Sequence, residues 1–116
     1  MNLEKLKSTA QAMVAPGKGI LAMDESAPTC KKRFDALGIP STKEKRREYR
    51  TMLVTTPGLG QYIAGAILFD ETLRDNSLDG KSFIEVLESQ GIVPGIKVDA
   101  GVKELALCPG EKVTEG

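Results

Sequence analysis

Apolar residues recur along the chain in two patterns, at helical spacing in some segments and as short unbroken runs in others. At the amino terminus, helical spacing predicts an amphipathic helix from Leu3 to Val14 that Pro16 and Gly17 end, and we expect it to cover the core. The same spacing predicts three further helices, over Thr29–Leu37, from a capping box at Ser41–Glu44 through Leu53, and around Phe83–Leu87.

Short apolar runs that end in charged residues predict three strands, over Gly19–Met23, Tyr62–Phe69 and Ile92–Asp99. The first two runs are uninterrupted, which is typical of strands that are buried on both faces. Because strands and helices alternate, we expect right-handed parallel crossovers and an α/β fold. The segment Ala100–Gly116 has no clear periodicity and is predicted as a loop. A parallel sheet that stopped there would leave an uncovered edge, so we expect the chain to be a piece of a longer protein.

Composition and charge disfavour several classes of function. With 116 residues, 41% of them hydrophobic and 28% charged, the chain has the profile of one globular domain. Its 16 basic residues balance 16 acidic ones, so no field favours nucleic acid or a membrane surface. It has no histidine, and Cys30 lies far from Cys108 in sequence, which disfavours a metal site. Charges interrupt the apolar residues of the amino terminus, so it resembles neither a signal peptide nor a transmembrane span, and we expect a cytoplasmic protein. Because thiols stay reduced in the cytoplasm, we expect both cysteines to be free.

Ionisable residues follow each predicted strand: Asp24 and Glu25, Asp70 and Glu71, and Lys97 and Asp99. In parallel α/β folds, reactive groups lie at the carboxyl ends of the strands. For Asp70 and Glu71, however, ordinary solvated loop residues are the favoured interpretation, because loops are commonly polar.

Lys97 is more informative, because a lysine at the end of an apolar strand needs a partner or a function. Strand alternation places it on the face opposite Ile96 and Val98, so if these two pack under helices, the ammonium points to the other face of the sheet or to a barrel interior. Alternation in the first strand sends Asp24 toward the same side as Lys97. Such a pair can move protons and bind an anionic or hydroxylated ligand, although a structural ion pair remains the alternative.

The segment Ser26–Arg33 combines hydroxyl groups, a predicted helix amino terminus and three cations. Backbone N–H groups and the helix dipole favour an anion there, so the segment suits a phosphate group. A solvated helix face explains the same residues equally well.

Five blocks of this sequence carry a family resemblance: APGKGILAMDES (15–26), KKRFDALGI (31–39), the arginine-rich run 46–50, TTPGLGQYIAGAILFDETLR (55–74) and GIVPGIKVDAG (91–101). In this order they closely resemble class I fructose-bisphosphate aldolases, and the match covers nearly the whole chain. The resemblance implies a partial (β/α)₈ barrel, in which residues 1–116 form the amino-terminal third of a single domain with an opening helix and three βα units.

The resemblance also implies an activity, the reversible cleavage of fructose 1,6-bisphosphate to dihydroxyacetone phosphate and glyceraldehyde 3-phosphate through a lysine Schiff base, with no cofactor. It assigns acid/base catalysis to Asp24 and an active-site role to Lys97. Contacts to substrate hydroxyl and phosphate groups are assigned to Ser26, Thr29, Lys32, Arg33 and Arg46. The Schiff-base lysine of such enzymes lies in later strands. The implied partner is a phosphorylated sugar, and homo-oligomerisation stays open.

The chain departs from the family pattern at Ala27–Pro28, where most relatives have threonine and glycine. Proline has a fixed φ and no N–H donor, which changes how the backbone can meet a phosphate. A different class of function also remains open, a stand-alone phosphate-binding α/β module without catalysis. Such a module needs no later lysine, so coding sequence beyond Gly116 would distinguish the two.

Overall fold

Six helices and five strands form within residues 2–116, the part of the chain that this computed structural model describes. The helices are α1 (Leu3–Met13), α2 (Ala27–Asp35), α3 (Lys43–Val54), α4 (Leu59–Tyr62), α5 (Asp70–Leu73) and α6 (Phe83–Glu88). The strands are β1 (Gly19–Met23), β2 (Ile63–Leu68), β3 (Val93–Ile96), β4 (Gly101–Glu104) and β5 (Lys112–Glu115). Within residues 2–116, no helix combines the length and the hydropathy that crossing a membrane requires.

The first three strands form one parallel sheet in the order β1-β2-β3, which confirms the predicted α/β fold. The register pairs Met23 with Leu68, and Leu68 with Ile96, so the last residues of all three strands are level. Residues that directly follow the strands therefore emerge at one edge of the sheet.

One face of this sheet packs against helices and carries the core. The buried cluster consists of Met23, Val54, Ala66, Leu68, Phe83, Leu87 and Ile92. Val54 comes from α3, while Phe83 and Leu87 come from α6, so these two helices cover the sheet. Burial of each large apolar side chain contributes about 1.5–3 kcal/mol relative to exposure, which makes this face the main source of stability.

On the face opposite the core, the prediction for β1 is wrong. β1 was expected to be buried on both faces, but Ile20 is 49% exposed and Ala22 is also exposed. Ile96 and Val98 are 40% and 80% exposed. Ile96 pairs in register with the core residue Leu68, so it lies on the helix-covered face, but β3 is the edge strand of the sheet. An apolar run alone therefore does not predict how much of a strand is covered.

α1 covers less of the molecule than expected. None of its residues is buried, and Leu3 and Leu6 are 72% and 52% exposed. Met13, at its carboxyl end, is half-buried against Gly65 of β2, where an added Cβ would collide with the thioether. The glycine thus permits the close approach of α1 to the sheet.

Helix boundaries differ from the predictions in small ways. α3 begins one residue later than expected: Thr42 is its N-cap and accepts a hydrogen bond from the Lys45 N–H at 3.2 Å. The Ser41 capping box is therefore wrong, whereas an unpredicted one forms at Ser82 and Glu85 of α6. α4 and α5 were not predicted, because four residues are too few to show helical periodicity.

The predicted loop after Ala100 is instead an antiparallel hairpin of β4 and β5, with Gly101 opposite Glu115 and Glu104 opposite Lys112. Its turn contains Leu107, whose φ of 63° is in the left-handed region, and Gly110 with a φ of 85°. Every residue of both strands is exposed, so no alternation between a buried and a solvated face marks them in the sequence.

Candidate active site

The three parallel strands bring acidic and basic side chains to one edge of the sheet. Asp24 follows β1, Asp70 lies just after β2 and Lys97 directly follows β3. The Lys97 N–H donates to the Leu68 carbonyl at 2.9 Å, which extends the ladder between β2 and β3 by one bond. The backbone of Lys97 is therefore held by the sheet although the residue lies beyond the strand.

The side chains of Asp24 and Lys97 meet at this edge. The Lys97 Nζ lies 3.7 Å from the Asp24 Oδ2, with 27% and 26% of the two side chains exposed. The structure thus brings the two residues together as strand alternation predicts, while their catalytic roles stay predictions. Both are reachable from solvent on the face opposite the core, where a substrate could contact them.

A second carboxylate, that of Asp99, binds Lys97 more closely. The Lys97 Nζ donates to Asp99 Oδ2, and the Gly101 N–H donates to Asp99 Oδ1 at 3.0 Å. The hydrogen bond to Asp99, with the charges of Asp99 and Asp24, raises the pKa of Lys97. The lysine is therefore an ammonium at neutral pH, suited to donating hydrogen bonds and stabilising negative charge. It is unsuited to forming an imine, which requires a neutral amine.

Glu25, the next residue after Asp24, is held by a buried arginine that the sequence analysis did not single out. Arg50 of α3 is 2% exposed. Its Nη1 donates to Glu25 Oε2, and its Nη2 donates to the Glu25 main-chain carbonyl at 2.7 Å and contacts Cys30 Sγ at 3.5 Å. The available signal was its spacing of four residues from Arg46, which places both arginines on one face of α3.

The other oxygen of Glu25 faces α2. Arg33 Nη1 donates to Glu25 Oε1, which also lies 3.4 Å from the Tyr49 hydroxyl. Burial raises the pKa of the Glu25 carboxyl, but hydrogen bonds from Arg50 and the backbone, with the charges of Arg50 and Arg33, outweigh burial and hold the pKa below its usual value. Glu25 is therefore an anion that joins the turn after β1 to two helices.

The amino terminus of α2 carries the predicted phosphate contacts. Ser26 is the N-cap, and its hydroxyl lies 3.2 Å from that of Thr29. Lys32 and Arg33 follow on the same helix and both are exposed. Pro28 stands in the first turn, so one backbone N–H is missing at this helix end. The hydroxyl pair lies beside cations, as an anion site requires, but a backbone donor is lost.

Arg46, also predicted to contact substrate, forms a two-pronged ion pair with Glu71 after β2. Its Nε and Nη2 donate to the two carboxylate oxygens at 2.8 Å each, and its Nη1 donates to the Ser41 carbonyl at 2.9 Å. The hydrogen bond from Arg46 is the main reason that the pKa of Glu71 lies below its ordinary value. Three of the five Arg46 donors are thereby occupied.

An apolar cavity of about 780 Å³ opens between α2 and α3, away from the strand ends. Phe34, Leu37, Ile39, Tyr49, Met52 and Leu78 are among the residues that line it. Arg33, a predicted phosphate contact, also lines this cavity, whereas neither Asp24 nor Lys97 does. Through residues 2–116, no three His, Cys, Asp or Glu side chains are placed to hold a metal ion.

The family model and the related proteins that match this chain all point to one family. The family model described as fructose-bisphosphate aldolase class-I matches residues 5–116. A probable fructose-bisphosphate aldolase class 1 of Xanthomonas campestris is 59% identical over the whole chain, which covers 35% of that protein. The chloroplastic fructose-bisphosphate aldolase 1 of Chlamydomonas reinhardtii is 56% identical over 93% of the chain and 29% of its own length.

A solved structure shows the same fold. The fructose-bisphosphate aldolase of Plasmodium falciparum, determined in complex with TRAP and a small-molecule inhibitor, superimposes with a TM-score of 0.91 and 48% identity. The match covers 97% of this chain and 33% of that one. The chain thus spans about a third of the length of the relatives it matches. With a family model matched from residue 5 to residue 116, the chain belongs to the class I fructose-bisphosphate aldolase family.

Proposed function

We propose that residues 1–116 are the amino-terminal third of a (β/α)₈-barrel enzyme that cleaves fructose 1,6-bisphosphate reversibly to dihydroxyacetone phosphate and glyceraldehyde 3-phosphate. The observation that carries the proposal is the approach of Asp24 to Lys97, 3.7 Å apart at the carboxyl edge of a parallel sheet, in a member of this family. This is the edge at which barrel enzymes place their reactive groups.

In this proposal Asp24 moves protons. Formation of an imine between a lysine and the substrate ketone requires the addition of the amine and then the loss of water, and each step transfers a proton. A carboxylate at the end of β1 is placed to accept and return these protons. In this proposal the imine-forming lysine lies in strands outside residues 1–116, and Lys97 does not take that role because Asp99 holds it as an ammonium.

Lys97 has an electrostatic role in the same reaction. Its ammonium donates hydrogen bonds to substrate oxygens and stabilises negative charge that develops beside Asp24. Because Lys97 has two carboxylate partners, its charge stays in place whether or not Asp24 has taken up a proton. In this proposal Asp24 therefore carries protons, while Lys97 provides a constant positive charge.

The substrate phosphate and hydroxyl groups are assigned to Ser26, Thr29, Lys32, Arg33 and Arg46. The adjacent hydroxyls at the start of α2 and the cations beyond them support the assignment. Because Pro28 has no N–H, side chains supply more of the phosphate contacts here than backbone groups do. The proposed partner is this phosphorylated sugar, the proposed compartment is the cytoplasm, and neither nucleic acid nor membrane is a proposed partner.

A chimeric enzyme tests the proposal. Residues 1–116 are joined to the part of the Xanthomonas campestris relative that lies beyond the matched region, at 59% identity within it. We expect the chimera to release triose phosphates from fructose 1,6-bisphosphate and to become covalently labelled when borohydride is added with substrate. A folded chimera that neither cleaves nor is labelled would contradict the proposal. If residues 1–116 alone then bound inorganic phosphate, the stand-alone module would be favoured.

A further inference from the structure

The buried pair of Arg50 and Glu25 has no role in the reaction proposed above. A buried ion pair is a weak source of net stability, because the desolvation of both charges offsets their attraction. The two terminal nitrogens of the Arg50 guanidinium nevertheless have different partners. One donates a hydrogen bond to the Glu25 carboxylate, and the other donates to the Glu25 main-chain carbonyl. It therefore fixes both the side chain and the backbone of the residue between Asp24 and Ser26.

Glu25 in turn positions the guanidinium of Arg33. One carboxylate oxygen faces Arg50 and the other faces Arg33 and Tyr49, so the orientation of the carboxylate determines where the Arg33 guanidinium lies. The Arg50 side chain is 3% exposed, whereas that of Arg33 is 56% exposed. Two positive groups share one negative group, and the surplus positive charge is therefore on the exposed arginine.

We propose that Arg50 is a positioning residue for phosphate binding, which acts through Glu25 to hold the Arg33 guanidinium beside the amino terminus of α2. The inference rests on the proposed function, because it takes Arg33 as a phosphate contact. Holding the guanidinium before substrate arrives reduces the entropy lost on binding. The cluster of Glu25 with Arg33 and Arg50 also keeps a net positive charge.

The chimeric enzyme with Arg50→Lys tests this role. Lysine keeps the buried charge but offers all its donors from a single nitrogen, so it cannot reproduce the planar fork by which two arginine nitrogens reach the Glu25 carboxylate and carbonyl separately. We expect the affinity for inorganic phosphate, measured by calorimetry, to fall about tenfold, with a similar rise in KM for fructose 1,6-bisphosphate and a smaller change in kcat. Arg47→Lys is the matched control, since it makes the same change on the preceding turn of α3 and should leave both values unchanged.

A mutant cycle separates positioning from general stabilisation. If Arg50 acts through Arg33, Arg50→Lys introduced beside Arg33→Ala should lower phosphate affinity by less than about twofold further. A multiplicative loss in that background would overturn the inference. So would a variant with a lower melting temperature and unchanged phosphate affinity, which is the result expected of a purely structural pair.

A second variant keeps the test decisive if Arg50→Lys does not fold. Glu25→Leu combined with Arg50→Met replaces the pair by apolar side chains, preserves net charge and is commonly tolerated in protein interiors. We expect this variant to fold and to lose phosphate affinity to the same degree. Unchanged affinity overturns the positioning role alone, whereas an unmutated chimera that binds phosphate but never cleaves substrate overturns the proposed function.

Discussion

The chain repeats an Asp-Glu pair at the ends of β1 and β2, and the two glutamates behave alike. Glu25 pairs with Arg50, and Glu71 pairs with Arg46. Because the two arginines are one helical turn apart, a single face of α3 neutralises both carboxylates. The glutamates thus fasten two strand ends to the same helix, and neither is free to act as an acid or a base.

The two aspartates, by contrast, have different surroundings. Asp24 lies 3.7 Å from Lys97, which comes from a strand two positions away in the sheet. Asp70 pairs with Arg74 of the following turn at 2.9 Å, and both side chains are more than half exposed. The dipeptide alone therefore does not distinguish the two aspartates. They differ in the origin of their partners, because Lys97 comes from another strand and places Asp24 where several chain segments converge.

The largest expected difference between the two strand ends is in the kcat of variants that lack the aspartate carboxylate. In the chimeric enzyme, Asp24→Asn preserves shape but cannot carry a proton, so we expect kcat to fall by about 10²- to 10⁴-fold with the fold intact. Borohydride labelling should also slow, because imine formation is among the steps that Asp24 assists in the proposed reaction. Asp70→Asn is the matched control and should retain kcat within a few-fold. Equal rates for the two variants would remove the distinction between the aspartates.

Removal of the Lys97 charge should have the next largest effect. Lys97→Met keeps most of the side-chain volume, so kcat/KM should fall by about 10- to 100-fold while the melting temperature changes little. Lys103→Met, in the exposed hairpin, is the control for loss of a paired lysine and should leave the kinetics unchanged. A loss of stability with normal kinetics would show that the ion pair is structural.

The pair of Glu71 and Arg46 should contribute a pH-dependent stability. The pKa of Glu71 is lowered from 4.5 in the folded protein, so its contribution is complete above that value and is lost as pH falls through the lower, folded pKa. Because both side chains are partly exposed, we expect about 1 kcal/mol or less. Unfolding free energies from pH 7 to pH 3 should decline less in Glu71→Gln than in the parent enzyme. Parallel curves would contradict this expectation.

The same contrast shows which parts of the molecule a sequence can disclose. The three strands and the convergence of their carboxyl ends were predicted. Apolar runs mark these strands in the sequence, because their side chains are buried in the core beside α3 and α6. Asp24 and Lys97 were predicted to meet because strand periodicity places them on one side. These inferences need only local patterns and the general geometry of parallel sheets.

Arg50 was missed for the opposite reason. It lies in a helix rich in charged residues, and its burial depends on the approach of Glu25, a residue 25 positions earlier in the chain. No local period reports such a contact. The hairpin of β4 and β5 was missed because all its residues are exposed, so hydrophobicity, the property on which strand prediction depends, is uninformative there.

The smallest effect is expected at the exposed pair of Asp70 and Arg74. The hydrogen bond from Arg74 holds the pKa of Asp70 below its ordinary value of 3.8. In Arg74→Ala this pKa should rise toward that value, as measured by titration of a ¹³C-labelled aspartate carboxyl group. Melting temperature and kcat should stay unchanged, because solvent screens an exposed pair within one helical turn. A marked fall in kcat would show instead that the end of β2 takes part in the reaction, and the contrast with Asp24 would no longer hold.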